Sequence, residues 1–276
     1  MIKENNIKLI FLSLSLFLII LIFFFPFFWI ITSSFKSPEE IIATSTTIIP
    51  RSFTLEHYNK ILFNSDFFIY LKNSLIVSFS SMIISIILSV SAAYGLHKLK
   101  FYGNKFVEYS LLVTYAFPGV ILLVPIYLLF AKVNLLNSYF ALIIVNVLFA
   151  TPFAVWMLKA FFKLIPNEIE EAAYIDGASR YVVISRIIIP LAAPGIASVS
   201  IFCFIISWTE YLFASILISG DNLKTLPVGL AGIVGQYQID WGFLLSGAVL
   251  ASLPVILLFV FIGKYFVSGL TEGAVK

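Results

Sequence analysis

The chain alternates between long apolar stretches and short polar segments. A transmembrane helix needs about 20 mostly apolar residues, so each charge-free stretch of that length is a candidate span. Six windows meet this condition, at residues 9–31, 73–96, 109–131, 133–158, 187–209 and 241–263. Only Lys132 separates the third window from the fourth, so part of these two windows must form a turn. The pattern predicts an all-α, polytopic membrane protein with six transmembrane helices, in a single domain over residues 1–276.

Composition supports this class and excludes several others. Hydrophobic residues make up 61% of the chain and charged residues 11%, whereas soluble domains are about half apolar and a quarter charged. The net charge of +3 is small and the basic residues are dispersed, so nucleic acid is not an expected partner. The single cysteine, Cys203, and the two histidines, His57 and His97, form no metal-ligand spacing. We expect no metal and no cofactor.

Catalytic patterns are also missing from the sequence. No G-x-x-x-x-G-K-[ST] phosphate loop occurs, so ATP is not expected to bind this chain. The six windows contain no charged side chain, and ion-coupled carriers commonly depend on such groups within the membrane. The sequence therefore favours neither an enzyme nor an ion-coupled carrier.

Lysine and arginine are more frequent in the loops on the side of both termini than in the opposite loops. Cytoplasmic loops of membrane proteins carry this excess. We therefore expect a multi-pass protein of the plasma membrane with both termini in the cytoplasm, together with the loop that follows the fourth window.

Two segments on the opposite side have features of their own. Residues 33–72 are polar and include a possible short helix that begins after Thr54. Residues 225–239 carry no charge but are too short and too rich in glycine to span a bilayer. This second segment is expected either to enter a cavity or to lie at the outer surface against a partner.

Within the windows, serines and prolines suggest how the helices pack. Five serines of the second window recur every three or four residues, so they share one helical face, and such stripes usually mark helix packing. They are Ser74, Ser78, Ser81, Ser85 and Ser89. Pro118, Gly119 and Pro152 are expected either to form simple kinks or to let spans bend around a central pathway.

Glu210 follows the fifth window, between Trp208 and Tyr211. A carboxylate beside aromatic residues near a helix end usually lies at the membrane interface and reaches water. The alternatives are a wall of the transport cavity and a contact with a partner span.

The most informative segment is the polar loop at residues 165–190. Pro166 favours a helix start, and the acidic residues after it are favourable at the positive end of the helix dipole. Gly177 provides a stop. The predicted helix is short, about ten residues, so it needs something to dock on. One narrow face, suited to a groove on another protein, has Ile165, Ile169, Ala172, Ala173 and Asp176. A second helix, residues 180–189, should then return to the membrane and stop or kink at Pro190.

The alternative is an amphipathic linker that lies on lipid headgroups. Helices of that kind generally carry a basic polar face, whereas this loop carries four acids. The docking helix is therefore the favoured interpretation.

This loop resembles a known pattern. Glu171-Ala172-Ala173, Gly177, Ile187 and Pro190 follow the spacing E-A-A-x3-G-x9-I-x-L-P of permease subunits in ABC importers, with Ile189 in place of leucine. Residues 70–74, 207–214 and 269–276 are also similar to the maltose-type sugar permeases, although Thr209 replaces their usual asparagine.

The resemblance implies an ABC type I importer permease fold, with a cytoplasmic coupling helix between the fourth and fifth spans. It also implies a second permease subunit, two cytoplasmic ATP-binding subunits that hydrolyse ATP, and an extracellular sugar-binding protein. The implied coupling residues are Glu171, Ala172, Ala173, Asp176, Gly177, Arg180, Ile187 and Pro190. Contacts with the pathway or the binding protein are expected at Glu210, Gln236 and Tyr237.

Two other functions compete with a sugar permease. The first is an importer permease for another solute, such as a polyol, glycerol phosphate or a peptide. The second is a membrane-embedded enzyme or scaffold, which would need intramembrane acids, histidines or metal ligands.

Overall fold

The computed structural model describes residues 2–45, 47–99, 101–232 and 239–272, and the elements in these ranges are helical. Their bounds are α1 Ile2–Ser33, α2 Pro38–Ile42, α3 Glu56–Phe63, α4 Phe67–Lys98, α5 Asn104–Ala116, α6 Gly119–Lys132, α7 Tyr139–Phe162, α8 Asn167–Ile175, α9 Arg180–Leu191, α10 Ala193–Trp208, α11 Leu212–Leu217, α12 Leu226–Ala231 and α13 Trp241–Glu272. The helix expected after Thr54 is confirmed as α3.

Four of the described helices are long and apolar enough to cross a membrane, namely α1, α4, α7 and α13. Two further candidates are broken pairs: α5 and α6 meet at 95°, and α9 and α10 meet at 77°. The described chain therefore has four candidate spans, or six if each bent pair is one span. The third and fifth windows, 109–131 and 187–209, are therefore broken helices, and the break at Pro118 agrees with the bend or kink expected there.

The break in the third window has a local cause. The residue before a proline is driven out of the helical region, and Phe117, before Pro118, has φ −73° and ψ 129°. Pro152 lies inside α7 and causes no such break. Between α6 and α7, Asn134 and Asn137 adopt positive φ in the turn, which confirms that the third and fourth windows overestimated their helices.

The chain divides into two compact units. The first comprises residues 1–67 and 230–253. Here the His57 Nε2–H donates a hydrogen bond to the carbonyl of Lys36 at 3.0 Å, and the ring packs on Gly242, where a Cβ would lie only 2.0 Å from the imidazole ring. Lys60 and Asp240 form an ion pair at the surface of this unit.

The second unit comprises residues 68–229 and 254–276, and α4, α7 and α10 form its core. All five serines of the α4 stripe are buried, and Ser85 and Ser89 approach Thr151 of α7 at 3.5 Å. Small side chains let helix backbones approach closely. The expectation that this stripe marks helix packing is confirmed.

The segment after α11 is tied to the starts of α4 and α7. The Asn73 amide donates to the carbonyls of Asn222 (3.0 Å) and Lys224 (2.8 Å), and Tyr139 donates to Asn73 Oδ1 (2.7 Å). The Leu226 N–H donates to Ser74 Oγ at 2.7 Å. The start of the glycine-rich segment, at Leu226, thus packs on the chain itself, while Gln236 and Tyr237 lie outside the described residues.

Candidate coupling site

Helix α8 forms where the acidic loop was expected to be helical, and its ends follow from local sequence. Pro166 immediately precedes the helix with φ −59°, and Glu168 and Glu170 lie in the first turn, where the dipole favours negative charge. At the other end Gly177 has φ +81°. The N–H groups of Gly177 and Ala178 donate to the carbonyls of Tyr174 and Ala173, both at 3.0 Å, and this pairing is the glycine-ended Schellman motif.

The face of α8 that the sequence pattern assigned to docking on a partner protein is divided in the structure. Glu170 and Ala173 point inward and are buried, whereas Ile169, Ala172 and Asp176 are exposed. Ala173 is 7% exposed and packs in the core of the second unit, with Ile165 against the same core. The prediction of one docking face that contains both Ala173 and Ala172 is therefore wrong.

An ion pair explains why an acid lies on the inner face. Lys98, the last residue of α4, places Nζ 3.1 Å from Glu170 Oε1, and the two side chains are only 17% and 7% exposed. Lys98 Nζ also donates to Asn167 Oδ1 at 2.6 Å, and the Tyr94 hydroxyl donates to Glu170 Oε2 at 3.5 Å. These contacts fasten α8 to the end of α4.

The outer face of α8 combines acidic and apolar side chains. Glu171, Ala172 and Asp176 are exposed, and Ile175 is 87% exposed. Leu164 before the helix and Tyr181 after it are also largely exposed. We call Glu171, Ala172, Ile175 and Asp176 the outer face of α8.

Helix α9 carries the chain back from α8 to α10. Ser179 caps its start by accepting from the Val182 N–H at 3.5 Å, and Arg180 is exposed in its first turn. Its middle, Ile184–Ile188, is a wider π-helical turn in which Ile187 packs on the core. Proline lacks an N–H and crowds the carbonyl four residues earlier, which favours such a wider turn before Pro190.

The bend into α10 does not occur at Pro190, where a stop or kink was expected. The helix continues through Pro190 to Leu191, and the break falls at Ala192. Just beyond the break, a Cβ on Gly195 would lie 2.4 Å from the ring of Phe161 in α7. The backbone of α10 therefore lies directly against α7.

These features belong to a recognisable class of membrane protein, because residues 85–272 match the family described as the inner membrane component of binding-protein-dependent transport systems. The chain belongs to this family. It is an ABC importer permease, a membrane-embedded transport subunit rather than an enzyme, and its transport system depends on a binding protein.

Relatives cover nearly the whole permease. The inner membrane ABC transporter permease protein YcjP of Escherichia coli (strain K12) is 40% identical over 268 residues, 96% of this chain and 94% of YcjP. The trehalose/maltose transport system permease protein MalG of Thermococcus litoralis is 32% identical over 277 residues, 99% of each chain. One chain in the crystal structure of a bacterial ABC transporter for alginate import has a TM-score of 0.81 at 22% identity, covering 96% of this chain and 98% of that chain. This last similarity shows the fold alone.

Glu210 of the permease has a structural contact that sequence analysis missed. Its carboxylate accepts the N–H groups of Phe213 at 2.7 Å and Ala214 at 3.0 Å, at the start of α11. Such bonds satisfy amides that a helix start leaves unpaired. The sequence signal for this contact is the position of Glu210, an acidic residue three residues before Phe213 near the start of α11.

We expect Gly177→Ala to loosen the end of α8 in the permease. No atom lies within 4 Å of the added Cβ, so the cost comes from the positive φ alone and should be about 1–2 kcal/mol. Thermal unfolding of the purified subunit in detergent should show a lower Tm.

The matched control is Gly263→Ala in α13, where the Cβ also meets no atom within 4 Å and φ is not positive. Alanine suits a helix interior better than glycine by up to about 1 kcal/mol, so the Tm should not fall. A drop of equal size in both variants would contradict the backbone explanation.

Proposed function

We propose that this chain is one of two permease subunits in an ATP-driven importer that takes up a carbohydrate. Each permease would form half of the translocation pathway, and two cytoplasmic ATP-binding subunits would hydrolyse ATP. The substrates in relatives' names support the carbohydrate: trehalose/maltose in Thermococcus litoralis, diacetylchitobiose in Streptomyces coelicolor, and arabinooligosaccharides in Halalkalibacterium halodurans.

The proposed topology counts each bent pair of helices as one span. Six spans then form a single transmembrane domain over residues 1–276, with both termini and α8 in the cytoplasm. The excess of lysine and arginine on that side supports this orientation. Gln236 and Tyr237, on the opposite side, stay predicted contacts of the binding protein, and Glu210 stays a predicted residue of the pathway.

The coupling proposal rests on the two faces of α8. Its inner face is fastened to the permease by the buried Lys98–Glu170 pair, while its outer face is free to meet an ATP-binding subunit. In this proposal Glu171, Ala172 and Asp176 contact that subunit, and Ala173 and Gly177 keep α8 in place and in shape. Arg180, Ile187 and Pro190 belong to α9, which transmits the movement of α8 to α10.

This mechanism requires ATP to favour one conformation over the other. A ligand shifts a conformational equilibrium only by its difference in affinity for the two states. Closure of the ATP-binding subunits would supply that difference, and the permease would transmit it through the packed α8, α9 and α10 segment.

Glu171→Lys is the variant that tests coupling. Reversing one exposed charge on the outer face of α8 leaves the buried contacts intact, so the subunit should still insert and assemble. We expect ATP hydrolysis by the complete importer in proteoliposomes to lose its stimulation by the loaded binding protein, by at least about tenfold, the effect of 1.4 kcal/mol.

The control is Glu39→Lys, the same charge reversal at an exposed position of α2 in the first unit. It should keep the stimulation. Wild-type stimulation in Glu171→Lys would reject the coupling role. The carbohydrate is tested separately, by mass spectrometry of the ligand that co-purifies with the binding protein, and a ligand that is not a carbohydrate would contradict that part.

A further inference from the structure

Within the described ranges, five buried side-chain oxygens have no hydrogen-bond partner. They belong to Ser78 and Ser81 of α4, Asn146 of α7, Ser207 of α10, and Thr225 just before α12. Each of these residues is at least nine-tenths buried. Buried polar groups in proteins almost always have a partner, either protein or ordered water, so five such oxygens require an explanation.

The contacts between helices place four of these oxygens, all but that of Thr225, within about one helical turn of one another along the helix axes. Asn73 of α4 contacts Tyr139 of α7, and Ser85 of α4 contacts Thr151 of α7, and in both pairs the residue numbers differ by 66. Because this difference stays constant along the contact, the two helices run parallel. Asn146 therefore lies level with Ser81, within about one residue, or roughly 1.5 Å along the axis.

Helix α10 runs antiparallel to both and brings Ser207 to the same level. Phe202 packs on Phe153 of α7, and Phe204 packs on Phe79 of α4, with ring centroids 4.4 Å and 5.1 Å apart. Ser207 lies five residues after Phe202 and three residues after Phe204. Counting back the same numbers from Phe153 and Phe79 places Ser207 within about one helical turn of both Asn146 and Ser78.

Thr225 lies at the outer edge of this level. The next residue, Leu226, donates its N–H to Ser74 Oγ, and Ser74 lies one turn before Ser78 on the buried serine stripe. We call Ser78, Ser81, Asn146, Ser207 and Thr225 the polar layer.

The free oxygens of α4 and α7 are not paired with carbonyls of their own helices. Ser198 and Ser200 of α10 donate to carbonyls of their own helix four residues earlier, at 2.9 Å and 2.8 Å, whereas Ser78 and Ser81 make no such bond. The Asn146 amide nitrogen donates to the Leu142 carbonyl at 2.9 Å, so its oxygen is left for another donor.

We propose that the polar layer binds water in the membrane interior, bridging α4, α7 and α10. The four hydroxyls can each donate and accept, and Asn146 Oδ1 can only accept, so a molecule that does both suits the set. A buried water typically makes about three hydrogen bonds in such a site. A cation fits less well, because the layer contains no carboxylate and an uncompensated charge within the bilayer is costly.

The test is X-ray radiolytic footprinting of the assembled importer in lipid nanodiscs. Radiation converts a bound water into a hydroxyl radical that modifies the nearest side chain, even when that side chain is buried. Phe204 (0% exposed) lies against Phe79, next to Ser78, and against Trp208, next to Ser207. Phe162 (2% exposed) is an equally buried phenylalanine distant in register from the layer. We expect Phe204 to be labelled severalfold faster than Phe162.

The double variant Ser78→Ala with Asn146→Leu removes two oxygens of the layer and should bring the ratio of the two labelling rates close to one. Ser89→Ala is the matched control, since Ser89 belongs to the same stripe but has a partner in the Thr151 carbonyl, and it should leave the ratio unchanged. Equal labelling of Phe204 and Phe162 in the wild type would overturn the proposal, whether or not the double variant assembles. A high ratio that survives the double variant would overturn it as well.

Discussion

Replacing Lys98 by methionine is expected to release α8 from the permease. Methionine keeps much of the volume of lysine but removes the charge that faces Glu170, whose side chain is only 7% exposed. Breaking a buried pair by removing one partner leaves an uncompensated charge and costs about 3–5 kcal/mol. Undocking of α8 relieves that cost by returning Glu170 to water. We therefore expect residues 164–180, which include α8, to become mobile while the transmembrane helices remain inserted.

Limited proteolysis of the subunit in inverted vesicles measures this directly. Lys98→Met should make residues 164–180 cleavable much faster than in the wild type, and ATP hydrolysis by the complete importer should lose its stimulation. Lys159→Met is the matched control, because Lys159 pairs with Glu108 across α7 and α5 at a more exposed position. Its effect should be smaller than that of Lys98→Met, because Glu108 is 30% exposed and can reach water when its partner is removed.

The double variant Lys98→Met with Glu170→Gln distinguishes a lost charge balance from lost packing. It leaves no buried charge, so much of the protection against protease should return. Equal sensitivity of Lys98→Met and Lys159→Met would show that the Lys98–Glu170 pair does not hold α8.

Among substitutions that add one methyl group in the bent region between α9 and α10, Gly195→Ala is expected to lower the stability of the subunit most. The added Cβ would lie 2.4 Å, 2.7 Å and 2.8 Å from three atoms of the Phe161 ring, distances that force a shift. Overpacking of this kind typically costs about 1–3 kcal/mol. Because α10 follows the break at Ala192 directly, the shift should also change the angle at which α9 meets α10.

Rescue by a smaller partner tests this contact. Phe161→Leu alone should cost little, and combined with Gly195→Ala it should restore most of the Tm of the subunit in detergent and most of the stimulated ATP hydrolysis. A double variant that is no better than Gly195→Ala would contradict the steric explanation. The two residues are in contact, so their effects should not be additive.

Much of the site could be predicted because its causes are local. A proline, acids at the dipole's positive end and a glycine stop lie within a few residues of one another, and they define α8 in almost any context. The spacing from Glu171 to Pro190 indicated the family for the same reason. The serine stripe of α4 was also predictable, since helical periodicity alone places its members on one face.

The inner face of α8 could not be predicted, because apolar spacing favoured Ala172 and Ala173 together and gave no reason to bury Glu170. That choice depends on Lys98, which is 72 residues earlier in the chain and becomes a neighbour only when α4 and α8 pack. Gly195 is a similar case. Position 195 requires glycine because the ring of Phe161 leaves no room for a side chain, and no local sequence pattern connects these two residues.

The apolar windows by themselves determined that this protein lies in the membrane, because their length and lack of charge leave few other environments for them. The acidic loop determined where a partner subunit is expected to act, because its helix signals are contained within the loop. Only the tertiary structure decided that the third and fifth windows bend by 95° and 77°. It alone also decided which side of α8 is buried. The buried side of α8 depends on a contact between residues distant in the sequence, Lys98 and Glu170, and hydrophobic periodicity carries no information about such pairs.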